Sequence, residues 1–202
     1  MQIANILRGK ESQDELVSGK LFTRFARKVN FLAIERFKLS SACPNPLETR
    51  EDVLLKYLLH GLLDLKAPLN ALLMTLKLHP EAAAYPDKEG NFPIHHAVRR
   101  RPFRVKYTKL LRELLQAYPE AAVMRNGAGD APIHIAIRER MAWDDGLSEI
   151  VENNCDSLGL PDRQTGLCPV LLCASLGGNV AVNTAFCLLT AKPDIFVNSC
   201  MS

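Results

Sequence analysis

No run of about 18 consecutive apolar residues occurs anywhere in the chain. The most apolar stretch, Val53 to Leu78, is broken by Lys56, His60, Asp64, Lys66 and Pro68, so no membrane span is expected. The first residues, Met1 to Arg8, meet polar side chains at once, and no secretory leader is expected. Neither sign of charge dominates. Lys and Arg number 25 against 22 Asp and Glu, a formal net charge of +3, too little by itself to imply nucleic acid. None of the six cysteines sits in a Cys-x-x-Cys pair, and the five-residue step from Cys168 to Cys173 fits no common zinc spacing. Reduced, mostly buried thiols in a cytoplasmic or nuclear protein are expected. Catalytic motifs are missing too. There is no His-Glu-x-x-His, no Gly-x-Ser-x-Gly and no phosphate-binding glycine-rich loop with its lysine. Gly127-x-Gly129 lacks the third glycine of a dinucleotide loop. The expectation is a chain with no catalytic residue, no metal ligand and no cofactor.

What is present is a repeat. Apolar residues make up 48% of the 202 and charged residues 23%, enough to bury a core in one compact domain or one short repeat array. Residues 80–97 and 119–136 align at a constant offset of 39: Pro80 with Pro119, Gly90 with Gly129, Pro93 with Pro132, His95 with His134. A third, weaker copy keeps Gly166-x-x-Pro169, at an offset of 37 from Pro132, with Leu171 in the histidine place. A fourth is inferred upstream, between Val53 and Pro80, from helical spacing and from the Pro-Glu-Ala-Ala that follows it.

Each unit reads as turn, short helix, loop, longer helix. Asp87 can bond its own backbone and Gly90 tolerates positive φ. Pro93 suits the first turn of a helix. Ala97, matched by Ala136 and Cys173, is small enough to let a neighbouring helix approach. Second helices are marked by stripes at helical spacing: Leu69, Leu72, Leu73 and Leu76; Leu110, Leu111, Leu114, Leu115 and Tyr118; Leu147, Ile150 and Val151; Val182, Phe186 and Leu189. Pro80 and Pro119 stop two of them. One such unit cannot bury its own stripe, and stacking buries it.

Asp87, Gly90, Pro93, Ile94, His95 and Ala97 resemble the signature of the ankyrin repeat, whose usual form is Thr-Pro-Leu-His-x-Ala. Gly129, Pro132, Ile133, His134 and Ala136 match again, with Asn126 for the aspartate. The spacing of 37–39 exceeds the usual 33, and the recurring Pro-Glu-Ala-Ala step resembles a divergent, algal-type group of ankyrin-like repeats. The resemblance implies an all-α solenoid of about four helix pairs, residues 47–83, 84–122, 123–159 and 160–197, behind an N-terminal segment of residues 1–46 with capping helices and before a tail at 198–202. It implies that His95 and His134 brace the turn of a neighbouring unit. It also implies a non-catalytic, monomeric protein–protein adaptor or scaffold, whose contacts come from turn tips and first helices. Carried over residue by residue, these are Lys88, Glu89, Asn91, Arg99 and Arg100, then Ala128, Asp130, Arg138 and Glu139, then Gln164 and Thr165. Fold does not name the partner.

Three further features bear on function. Arg99 to Lys109 carries six cations and no acid, with Phe103 and Tyr107 interleaved. It reads as a solvated loop between the helices of a unit, its cations favoured near a helix C-terminus. The alternative is a site for nucleic acid or an acidic surface. Leu21 to Phe37 reads as a basic amphipathic helix covering the first unit. Trp143, ahead of Asp144-Asp145-Gly146, reads as packing within an inter-helix loop.

Overall fold

The computed structural model describes residues 50–100, 105–191 and 193, and every regular element within them is helical. The expected capping helix at 21–37 lies outside the described residues. Among the described residues eight α-helices follow one another: α1 (Arg50–Asp64), α2 (Leu69–Leu78), α3 (Pro93–Arg99), α4 (Val105–Ala117), α5 (Pro132–Arg138), α6 (Leu147–Asn153), α7 (Pro169–Leu176) and α8 (Asn179–Ala191). None is long and apolar enough to cross a membrane.

Local chemistry sets the ends. Pro93, Pro132 and Pro169 each open a short helix after an extended residue, where a missing amide donor costs nothing. Pro80 and Pro119 do more than stop a helix. Each starts a 3₁₀ turn, Pro80–Ala84 and Pro119–Ala122, whose alanines Ala82, Ala83, Ala121 and Ala122 are buried. The Pro-Glu-Ala-Ala step is thus a tight corner packed by methyl groups. α1 closes with the amide of Lys66 on the Leu63 carbonyl and that of Ala67 on Leu62, with Lys66 at φ 54°. This is a left-handed helix terminus formed without glycine.

Packing follows a regular order. α1 lies against α3, α3 against α5 and α5 against α7, while α2 lies against α4 and α4 against α6. The small residues Ala97, Ala136 and Cys173 are buried on the short helices. The stripe Leu110, Leu111, Leu114 and Leu115 is buried together with Leu147, Ile150 and Val151 in one continuous core, and Trp143 packs on its edge. Two expectations need correction. Val105 to Lys109 are the first residues of α4, so the basic stretch is only in part a loop. On α8 the buried residues are Ala181, Thr184 and Leu188, while Val182, Phe186 and Leu189 are exposed. That helix is apolar nearly all round, so periodicity could not select its inner face.

Candidate interaction surface

The turns that precede α3, α5 and α7 share one construction. Asp87 Oδ1 accepts from the amides of Glu89 (2.9 Å) and Asn91 (2.8 Å). Asn126 Oδ1 accepts from Ala128 (3.0 Å) and Asp130 (2.9 Å). Asp162 Oδ2 accepts from the amide (3.0 Å) and hydroxyl (2.8 Å) of Thr165. The backbone closes each loop, Asp87 to Asn91, Asn126 to Asp130 and Asp162 to Leu167, so the third turn is one residue longer. Gly90, Gly129 and Gly166 sit at φ 74°, 85° and 71°, the left-handed region that the sequence expects of Gly90.

Histidines tie one turn to the next. His95 Nδ1 accepts from the Phe92 amide at 3.0 Å, which fixes the proton on Nε2, and Nε2–H donates to the Asp130 carbonyl at 3.2 Å. His134 repeats this, accepting from the Ala131 amide (3.2 Å) and donating to the Leu160 carbonyl (2.9 Å). His60 on α1 donates from Nε2 to the Asn91 carbonyl at 3.0 Å. Burial of the ring pushes His60 and His95 down to about 4 and lowers His134, so all three are neutral at physiological pH. At His95 and His134 the neutral imidazole both accepts and donates. His96, next in sequence, behaves in the opposite way. Burial disfavours its charge, but hydrogen bonds to Asp64 (3.0 Å) and Asp87 (2.8 Å) outweigh that and raise it.

Arginines complete the seam. Arg138 bridges Asp130 and Asp162, joining the second and third turns; against the opposing effect of burial, the hydrogen bonds from Thr165 and Arg138 hold the Asp162 carboxyl below its ordinary range. Arg125 donates to the Gly129 (2.7 Å) and Pro161 (2.8 Å) carbonyls. Between the first two turns the link is direct. The Gly127 amide donates to the Glu89 carbonyl (2.9 Å) and Asn126 Nδ2 to Asn91 Oδ1 (2.8 Å).

The candidate residues divide accordingly. Lys88, Glu89, Arg99, Ala128, Gln164 and Thr165 are exposed. Glu139 and Arg138 are half-buried, and Asn91, Asp130 and Arg100 are buried. Arg100 donates to the Ala67 carbonyl at 2.7 Å, so its place is in the frame of the turns. Lys88, Glu89, Asn91 and Arg99 meet Asn126, Gly127 and Ala128 around a shallow groove of 520 Å³. The sequence reading misses His60, Arg125 and the double role of Arg138. His60 stands in no Pro-x-His context, and each arginine has one partner far along the chain, Pro161 for Arg125 and Asp162 for Arg138. Cys173 is buried, and burial pushes its thiol up to about 12, which leaves it without thiolate character.

No family model, curated protein or solved structure matches this chain.

Proposed function

We propose that the chain is a short ankyrin-type solenoid that holds a protein partner across its turn tips and catalyses nothing. The observation that carries this reading is the seam. Successive turns are locked to one another by His95, by the Gly127–Glu89 bond and by Arg138, while Lys88, Glu89, Ala128, Gln164 and Thr165 remain exposed on the same turns. A rigid row of exposed tips suits recognition because little order must be imposed on binding. The groove between the first two turns, with Lys88, Glu89 and Arg99 at its edge, is the place where a partner side chain inserts.

Nucleic acid is the competing partner. Arg100 is committed to the Ala67 carbonyl, which leaves fewer cations in the Arg99–Lys109 segment for phosphates and favours the protein reading. The test is capture of partners by the full chain and by a Lys88→Glu/Arg99→Glu/Ala128→Arg variant, at low and high salt. A defined protein retained by wild type at both salts, and bound at least tenfold more weakly by the variant, is the expected result. Retention of nucleic acid alone, released steeply by salt, overturns it.

A further inference from the structure

The turn histidines are each accounted for by one carbonyl, but His96 is not a turn histidine and belongs to a different cluster. It lies on α3 between two carboxylates, Asp64 at the end of α1 and Asp87 at the start of the first turn. The ring of His60 stands edge-on to it, with centroids 5.3 Å apart. His60, Asp87 and His96 each offer one ligand atom, and these atoms all lie within 4.8 Å of one another. We propose that His60, Asp87 and His96 form a binding site for a divalent transition metal of the Zn(II) class, which staples α1, the first turn and α3 together.

The chemistry of the donors supports this. Two imidazoles and one carboxylate are the ligands that borderline divalent ions prefer. His96 offers Nε2 on the side of Asp87, while its Nδ1–H donates to Asp64 Oδ1 at 3.0 Å. That is the arrangement in which an outer carboxylate orients a metal-bound histidine. Without metal, the two ring nitrogens of His96 face the two aspartates, the Nδ1–H toward Asp64 and the Nε2–H toward Asp87. Binding exchanges the Nε2 proton for the ion. The His96 proton on Nε2 leaves to solvent, the metal takes its lone pair, and the cluster goes from one positive charge against two carboxylates to two against two. Asp87 and His96 are half-buried, so water can reach the site and fill the remaining coordination position. The spacing of the ligands along the chain, 27 residues from His60 to Asp87 and nine more to His96, matches no sequence motif, which is why the pattern is silent in the sequence.

The experiment is titration of the untagged, reduced full chain with Co(II) and Zn(II). The expected result is one ion per chain with visible tetrahedral d–d absorption, no sulfur-to-cobalt charge-transfer band, and release of about one proton. His96→Ala should abolish the absorption, and Asp64→Asn should weaken binding by about tenfold. Because removing His96 also removes an interhelical link, X-ray absorption on zinc-loaded wild type gives an independent reading: two imidazoles with oxygen ligands support the site. No stoichiometric binding, a sulfur ligand, or Co(II) absorption unchanged in His96→Ala overturns it.

Discussion

The first two turns and the final helix pair carry copies of the same sequence pattern but are finished in opposite ways. At the first of these, polar groups are closed off: His95 spans from its own helix start to the Asp130 carbonyl, and Gly90 and Gly127 bring two backbones into contact. At the second, the histidine position holds Leu171, which is 44% exposed, and α8 presents Val182 and Phe186 at 62% and 65% exposure. The difference teaches what the histidine is for. It is present on α1, α3 and α5, each followed by a turn whose backbone offers a carbonyl. On α7 no such turn follows among the described residues, and an apolar side chain stands there instead. Where it occurs, the histidine ties its helix to the backbone of a later turn.

Glycine substitutions should break this comparison most strongly. A Cβ on Gly90 would lie 2.6 Å from the Gly127 amide nitrogen, whereas one on Gly166 meets nothing within 4 Å, though both residues have positive φ. Gly166→Val should cost about 1–2 kcal/mol, the backbone term alone. Gly90→Val adds the loss of turn-to-turn contact and should cost about 3 kcal/mol or more. Urea unfolding of both variants measures the gap, and equal midpoints would show that the turns do not touch in solution. His95→Leu comes next, at about 2 kcal/mol, because it leaves the Phe92 amide without its acceptor. The reverse change at the equivalent position, Leu171→His, should stay within about 0.5 kcal/mol.

The same joints show how far the sequence could be read. Pro93, Pro132, Gly90 and Gly129 mark turns and helix starts through local chemistry that needs no distant partner, and the structure places helices and positive φ there. The leucine stripe of α4 is legible because polar residues flank it. α8 is not legible in this way, since its apolar residues surround the helix and only its neighbours, α7 and the turn at Trp143–Asp145, decide that Leu188 faces inward. Site residues fail for a related reason. Arg99 and Arg100 are adjacent and chemically alike, yet Arg99 is exposed and Arg100 reaches the Ala67 carbonyl. Which of two neighbouring side chains stays exposed depends on the turn between α1 and α2, more than thirty residues away. The His60–Asp87–His96 cluster is of the same kind.

Acidity should sharpen the contrast by a smaller amount. Burial lowers the His134 pKa below the ordinary histidine value while its Nδ1 accepts a buried amide. The unfolded chain, with histidine near 6.5, therefore binds the proton more readily than the folded one. The contribution of His134 is complete above about pH 6.5 and is lost as pH falls below it. The stability difference between wild type and His134→Gln should accordingly shrink from pH 7.5 to pH 5. A difference that stays constant over that range would show that His134 is not held neutral.

The smallest effect is expected at the other end of the comparison. Phe186 is the most exposed of the large apolar side chains described, and Ala181, Thr184 and Leu188 form the inner face of its helix. Phe186→Ser should change stability by no more than about 0.5 kcal/mol, as for other exposed positions, even though phenylalanine in a repeat stripe would ordinarily be read as core. Chemical denaturation at two protein concentrations separates the explanations if the cost is larger. A loss that grows with concentration would mean that Val182 and Phe186 meet a second copy of the chain. A concentration-independent loss would mean that another part of the same chain covers them, and that the final pair is as well jointed as the others.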